Sequence, residues 1–373
     1  MNFDFTLPVK IKFGPGSADT LSAYLEERGL SRGVLVCDGF LDKSGTAAEI
    51  SAKCGGRINA VFSDLVPNPT VKNVDDCAAL LRSEKADFAI ALGGGSTMDC
   101  AKAACAIARS GDGIALYHTG GKALSKESGI PLIAVPTTAG TGSEVTFVSV
   151  LTDEEKKLKA PLGNPLLLPE LALIDPLLTL SVPAKITAST GLDVLCHALE
   201  GFWSIHHQPI CDALALDSAK RVFAYLPRAF ENGADIDARE QMALASLQAG
   251  IAFSHPKTTG CHACSFPLTN IWHIPHGEAC ALTLDYFTRK NADCEGGRLQ
   301  QFARDCGFSD AGAMADEILR LKKQTGMRLT LHDMGISKAD IPELSRLSLH
   351  PNMTNNPVSM DAAAIEEMYL ELL

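Results

Sequence analysis

No apolar run in this 373-residue chain reaches the length of a membrane span. Positive charge is short as well: 33 Lys and Arg stand against 44 Asp and Glu, a formal net charge of −11. That balance argues against a nucleic-acid partner and against an anionic membrane surface. It leaves an anionic substrate open, because a local pocket can be positive on an acidic protein. The chain opens Met1-Asn2-Phe3-Asp4, with no basic and apolar leader, so the expectation is a cytoplasmic protein. The 12 cysteines are spread along the chain, and Cys261-x-x-Cys264 has no partner pair. That is the usage of reduced thiols, not of a disulfide framework or a four-thiolate zinc site. Internal repeats and low-complexity tracts are missing. So is the G-x-G-x-x-G fingerprint of an ordinary Rossmann unit.

What is present is an ordinary globular composition, 46% hydrophobic and 21% charged, in a chain long enough for two or three cores. The first half alternates strand-like and helical segments. An extended segment runs from Phe5 to Phe13, and a buried strand from Gly33 to Cys37 ends at Asp38. An acid at a strand's carboxyl end either holds a ribose diol or simply forms a turn. Residues 88–92 form another strand, followed by Gly93-Gly94-Gly95-Ser96 and a helix from Thr97 to Arg109. Strand, glycine run and helix start make a cradle for a pyrophosphate: glycine lets the backbone approach, and the helix supplies unpaired N–H groups. Here the candidate acid precedes the glycines, whereas an ordinary Rossmann acid follows them. The spacing therefore predicts a different dinucleotide-binding topology.

The strand 131–135 runs into a loop dense in hydroxyls and glycines, residues 136–144, suited to ribose, amide or phosphate contacts. A hairpin is expected around residues 153–156, and a last strand ends at Asp175-Pro176. From Ala184 onward the periodicities are helical. The expected division is an α/β domain over residues 1–183 and an all-helical domain over 184–373.

Gly191-Leu192-Asp193-Val194-Leu195-Cys196-His197-Ala198-Leu199-Glu200 reads as a helix, because it is rich in Leu and Ala and lacks proline. Asp193 and His197, four apart, share one otherwise apolar face. A carboxylate and an imidazole there are costly unless paired with each other or bound to something. They make half of a divalent metal site. His262 and His276 supply the other half, on segments that Pro267 and Pro275 are expected to limit. The bland alternative is a buried Asp–His pair with unrelated histidines nearby.

Four motifs together resemble the iron-containing (group III) alcohol dehydrogenase family: Gly93-Gly94-Gly95-Ser96, residues Pro136 to Glu144, Asp193 through His197 to Glu200, and His262 with His276-Gly277. The resemblance implies an N-terminal α/β dinucleotide-binding domain, an all-α C-terminal domain of the dehydroquinate synthase-like fold, and a metal in the cleft between them. It implies Fe(II), with Zn(II) as the alternative, held by Asp193, His197, His262 and His276. NAD(H) would lie on Gly93, Gly94, Gly95 and Ser96, with Thr137, Thr138, Thr141 and Ser143 lining it and Lys159 reaching the ribose. Asp38 falls where the adenosine ribose is held, and its charge repels a 2′-phosphate, so NAD is expected over NADP. A homodimer or larger homo-oligomer is implied, acting on a small primary alcohol or aldehyde.

The chain departs from the family at Phe266, where many members carry a second histidine credited with proton relay. His273 is a candidate replacement, as are the ribose hydroxyl and solvent. Lys257, before Thr258-Thr259, is a candidate for an anionic tail, as in the branch that reduces phosphonoacetaldehyde or sulfoacetaldehyde. Other readings are a Zn(II)-dependent glycerol-type dehydrogenase and a dehydroquinate-synthase-like lyase.

Overall fold

The computed structural model describes residues 2–373 and resolves two compact units. The α/β unit comprises Thr6–Thr138 and Ser143–Thr179. The helical unit comprises residues 2–5, Ala139–Gly142 and Leu180–Leu373. The units part four residues before the expected boundary, and four residues of the hydroxyl-rich loop belong to the helical one.

In the α/β unit, strands β1 (Lys10–Phe13), β2 (Gly33–Val36), β3 (Ile58–Phe62), β4 (Phe88–Gly93), β5 (Leu132–Pro136) and β8 (Leu171–Ile174) form one sheet, in the order β1-β8-β5-β4-β2-β3. All its pairings are parallel. Every residue of β2, β4, β5 and β8 is buried, as the continuous apolar runs of a parallel sheet covered on both faces require. β6 (Val148–Asp153) and β7 (Leu158–Gly163) make the expected hairpin. Helices α1 (Leu21–Glu27), α2 (Gly39–Lys43), α3 (Thr46–Lys53), α4 (Val71–Ser83), α5 (Gly95–Ala106) and the one-turn α6 (Ala115–His118) complete this unit. The first strand starts at Lys10, not at Phe5. Pro8 has no N–H to give a ladder, and Phe5 instead stacks on His255 of the helical unit at 4.8 Å.

The helical unit is built on α7 (Ala184–Trp203), in which every residue from Gly191 to Gly201 is buried. A helix covered all round lies inside a bundle. It packs against α8 (Pro209–Glu231), α9 (Ile236–Ser254) and α11 (His276–Leu282). α10 (Gly260–Ile271) runs straight through Pro267, contrary to the expected break. A proline removes one ladder bond, and burial of the neighbouring Leu268 holds the following turn in place. Five further helices lie between Leu284 and Glu371. Among the described residues no helix is long and apolar enough to cross a membrane.

Candidate metal and dinucleotide sites

Asp193 and His197 leave α7 on one face, and each is under 5% exposed. His262 comes from α10 and reaches both: its Nε2 lies 3.0 Å from His197 Nε2 and 3.6 Å from Asp193 Oδ1. His276, the first residue of α11, brings its ring to 5.3 Å from that of His262. Gly277 makes this approach possible. A Cβ there would lie 2.1 Å from the Ser189 carbonyl oxygen and 3.0 Å from Asp193 Cβ. The four expected ligands therefore converge.

The cluster fits a divalent cation. Asp193 Oδ1 is buried and accepts no hydrogen bond from the described residues. Two imidazole nitrogens sharing one ion at ordinary bond lengths stand about 3.0–3.4 Å apart, which is the His197–His262 spacing. Burial pushes the Asp193 carboxyl up to about 6 and holds the His197 imidazole well below its ordinary value, so the cluster is one in which charge must be compensated.

Glu200, quoted in the sequence motif without a role, turns out to orient His262. Its Oε1 accepts from the Thr259 N–H and hydroxyl (3.0 Å each), the Cys261 N–H (2.8 Å) and the His262 N–H (3.2 Å). Its Oε2 meets His262 Nδ1. Holding Nδ1 turns Nε2 toward Asp193 and His197, the usual arrangement behind a metal-bound histidine. Against the charged form of His262 stands burial, and Cys280 with Glu200 outweighs it, so the pKa of the metal-free imidazole lies well above its usual value. Cys280, one turn after His276, is a donor that the sequence reading missed. Its Sγ lies 3.8 Å from His276 Nε2, and one ligand atom from each of Asp193, His262, His276 and Cys280 falls within 4.8 Å of the others. The i, i+4 spacing from His276 was the available signal.

Phe253 stacks on His197 at 4.1 Å, and Phe266 follows His262 by one turn on the same face of α10. His273 is exposed, two residues beyond the carboxyl end of α10, at φ 55°. The imidazole against Phe266 is His350, with ring centroids 4.4 Å apart. Lys257 is likewise exposed, at φ 67°, whereas Thr258 and Thr259 beside it are buried.

In the α/β unit, Gly93 ends β4 at φ 156°, and a Cβ on it would lie 2.4 Å from Thr97 Oγ1. Gly94 caps α5, which begins at Gly95 rather than at Thr97. The backbone thus delivers a bare helix start at the carboxyl end of a central strand. Ser96 Oγ accepts from the Asn68 N–H at 3.1 Å, and Asn68 Oδ1 accepts from Lys159 Nζ at 3.1 Å, so both expected side chains border one loop. The Thr137 N–H donates to the Gly93 carbonyl, and Thr138 Oγ1 would lie 3.1 Å from a Cβ on Gly94. Asp38 follows β2 and caps α2, with Oδ1 accepting from Phe40 N and Leu41 N at 2.9 Å each.

Ser143 departs from the expectation. It is buried, accepts from Lys102 Nζ at 2.8 Å and donates to Asp99 Oδ1 at 3.2 Å. Burial drives the Asp99 carboxyl up to about 6 and the Lys102 ammonium down to about 8, and the hydroxyl mediates between them. Thr141 lies in the tetrapeptide that belongs to the helical unit.

The comparisons with known proteins agree with this geometry. Residues 8–176 match the iron-containing alcohol dehydrogenase family, and residues 187–373 match the C-terminal domain of the Fe-containing alcohol dehydrogenase family. The chain is similar to lactaldehyde reductase of Escherichia coli K12, 33% identical with 96% of each chain covered. It is similar to 1-propanol dehydrogenase PduQ of Salmonella typhimurium, 35% identical with 99% of each covered. Among solved structures, it is similar to sulfoacetaldehyde reductase from Bifidobacterium kashiwanohense in complex with NAD+, 50% identical, covering 100% of this chain and 99% of that one at a TM-score of 0.97. With a bare helix start after a buried strand in one unit and a carboxylate with three imidazoles in the other, the chain belongs to the iron-containing alcohol dehydrogenase family, as an NAD-dependent, metal-containing oxidoreductase.

Proposed function

We propose that this protein reduces a short aldehyde carrying an anionic tail, sulfoacetaldehyde foremost, with NADH as hydride donor and Fe(II) as the metal. The observation that supports the substrate is the likeness to sulfoacetaldehyde reductase, at 50% identity over the whole chain. The relatives named for neutral substrates stand at 33% and 35%.

The chemistry supplied by the bound groups is Lewis-acid polarisation of the carbonyl oxygen and hydride delivery from the reduced nicotinamide ring. The chain's own residues bind, orient and exclude water. Asp193, His197, His262 and His276 hold the ion, and Glu200 fixes the ring of His262. Phe253 and Phe266 keep the surroundings dry, which strengthens every charge interaction there. Gly93, Gly94, Gly95 and Ser96 receive the pyrophosphate, Thr137 and Thr138 flank it, and Asp38 disfavours a 2′-phosphate. Asn68 sets the position of Lys159 beside that loop. Cys280 offers a further, softer donor beside Asp193, His262 and His276. All 12 cysteines are free thiols, in keeping with a cytoplasmic protein, and a homodimer is the expected assembly.

The test is NADH oxidation by metal-stripped protein, with Fe(II) or Zn(II) restored under anaerobic conditions. The substrates are acetaldehyde, propionaldehyde, lactaldehyde, phosphonoacetaldehyde and sulfoacetaldehyde. Activity restored by Fe(II) and highest with sulfoacetaldehyde is expected. Equal turnover of neutral and anionic aldehydes removes the substrate assignment, and restoration by Zn(II) alone replaces the metal.

A further inference from the structure

We propose that His350 selects the anionic tail of the substrate by presenting a neutral Nε2–H donor beside Phe266. The inference rests on the reading of the protein as a reductase of such aldehydes. It begins with the helix that carries His262. From Gly260 to Thr269, every residue of α10 is buried except Phe266, which is partly exposed. Phe266 stands one turn after His262 on the same face, so the partly exposed residue of this stretch lies on the face that carries the metal ligand. The ring against Phe266, at 4.4 Å between centroids, is that of His350, itself half-buried.

The orientation and the tautomer of His350 are both fixed. Its Nδ1 accepts the Asn352 backbone N–H at 3.2 Å. A neutral imidazole that accepts at one nitrogen carries its proton on the other, which leaves Nε2–H as the donor. Burial keeps the ring's pKa below 6.5 and favours this neutral form at pH 7. The segment is pinned from behind. Asn352 Nδ2 donates to Thr258 Oγ1 at 2.7 Å, and Asn355 Nδ2 donates to the Thr258 carbonyl at 2.9 Å. The buried Thr258-Thr259 pair thus ties the His350 segment to the start of α10.

A neutral donor suits this place better than a cation. A second cation beside a divalent ion is repelled by it, whereas an N–H dipole is not. A sulfonate remains anionic at every working pH and accepts hydrogen bonds from neutral donors. Lys257, the cationic alternative, is exposed in a left-handed conformation.

The experiment compares the metal-loaded wild type with His350→Ala, His350→Gln and Lys257→Ala. The substrates are propionaldehyde and whichever tailed aldehyde the wild type prefers, sulfoacetaldehyde or phosphonoacetaldehyde. The quantity read is the ratio of kcat/KM for the tailed aldehyde to that for propionaldehyde. In His350→Ala it is expected to fall about 10-fold or more, through KM, as the loss of a hydrogen bond to a charged group predicts. His350→Gln, whose amide also donates, restores part of it, and Lys257→Ala leaves it unchanged. An unchanged ratio in His350→Ala with native metal content overturns the proposal, as does a collapse of the ratio in Lys257→Ala alone. If His350→Ala loses its metal, His350→Phe, which keeps a ring against Phe266 without the donor, gives the same comparison. A wild type with no preference for a tailed aldehyde defeats the substrate reading itself; a preference that persists in His350→Ala defeats only the role of His350.

Discussion

Glu200, from the same helix as Asp193 and His197, grips the ring and backbone of His262 across 62 residues of sequence. It is fully buried, and Thr259, Cys261 and His262 all donate to it. Glu200→Gln is expected to keep the fold and lower metal affinity about 10- to 100-fold, the usual effect of removing an outer-shell partner. Glu200→Ala is expected to cost about 3–5 kcal/mol of stability, because it strands buried donors. Metal titration and thermal melting check the two, and a Gln variant with native affinity removes the orienting role.

Gly277 is the seat of His276. In Gly277→Ala the new methyl lies against the Ser189 carbonyl oxygen, so α11 must move away from α7. A cost of about 1–3 kcal/mol is expected from such overpacking. The more telling outcome is metal stoichiometry, which should drop while the helical content by circular dichroism stays near that of the wild type.

Asp38 combines two roles that substitution separates. Asp38→Asn keeps the cap on α2 and removes the charge; Asp38→Ala removes both, at about 1 kcal/mol for the lost cap. Both variants are expected to gain NADPH use, and only the alanine variant should melt earlier. Cofactor preference that is unchanged in both would place the ribose elsewhere.

Burial raises the Asp193 carboxyl from 3.8 to about 6 in the metal-free protein. Between those values the folded chain holds a proton that the unfolded chain has released, so this group's contribution to stability falls as pH rises through that window. A metal ion has to displace the same proton. The His262 imidazole, whose pKa lies well above its usual value, holds a second proton that the ion displaces, so affinity is expected to fall about tenfold per pH unit between 7 and 6 and more steeply below about 6, where both protons are displaced. Metal titrations at pH 5, 6 and 7 measure this, and a constant that is flat from 5 to 7 contradicts it.

Much of this was legible in the sequence because it depends on local spacing. Asp193 and His197 share a face by the 3.6-residue period, and strand–glycine–helix at residues 88–106 is a contiguous signal. The ligands His262 and His276 stand out as imidazoles beside prolines and glycine. What was hidden depends on long-range packing. The contact of His350 with Phe266 joins segments 84 residues apart, with no periodicity to announce it. Ser143 looked like a ligand residue because it sits among threonines and glycines; only the fold shows Lys102 and Asp99 beneath it. His273 drew attention by its place in sequence near His276, and only the fold shows that it is exposed. Cys280 was passed over as one thiol among many.

The tetrapeptide Ala139–Gly142 leaves the α/β unit to join the helical one, where the Gly140 N–H bonds Ser246 Oγ at 2.8 Å. Its partner lies 106 residues further on. At a bacterial or eukaryotic ribosome's pace of about 5–20 residues per second, that segment waits roughly 5–20 s for its seat to be synthesised. Once Ile174 has been added, the nascent α/β half has every strand of its sheet but must still leave one of its loops unplaced. Neither half can therefore be obtained whole by severing the gene at a single point, and a fragment beginning at Leu180 would lack a piece of its own interior.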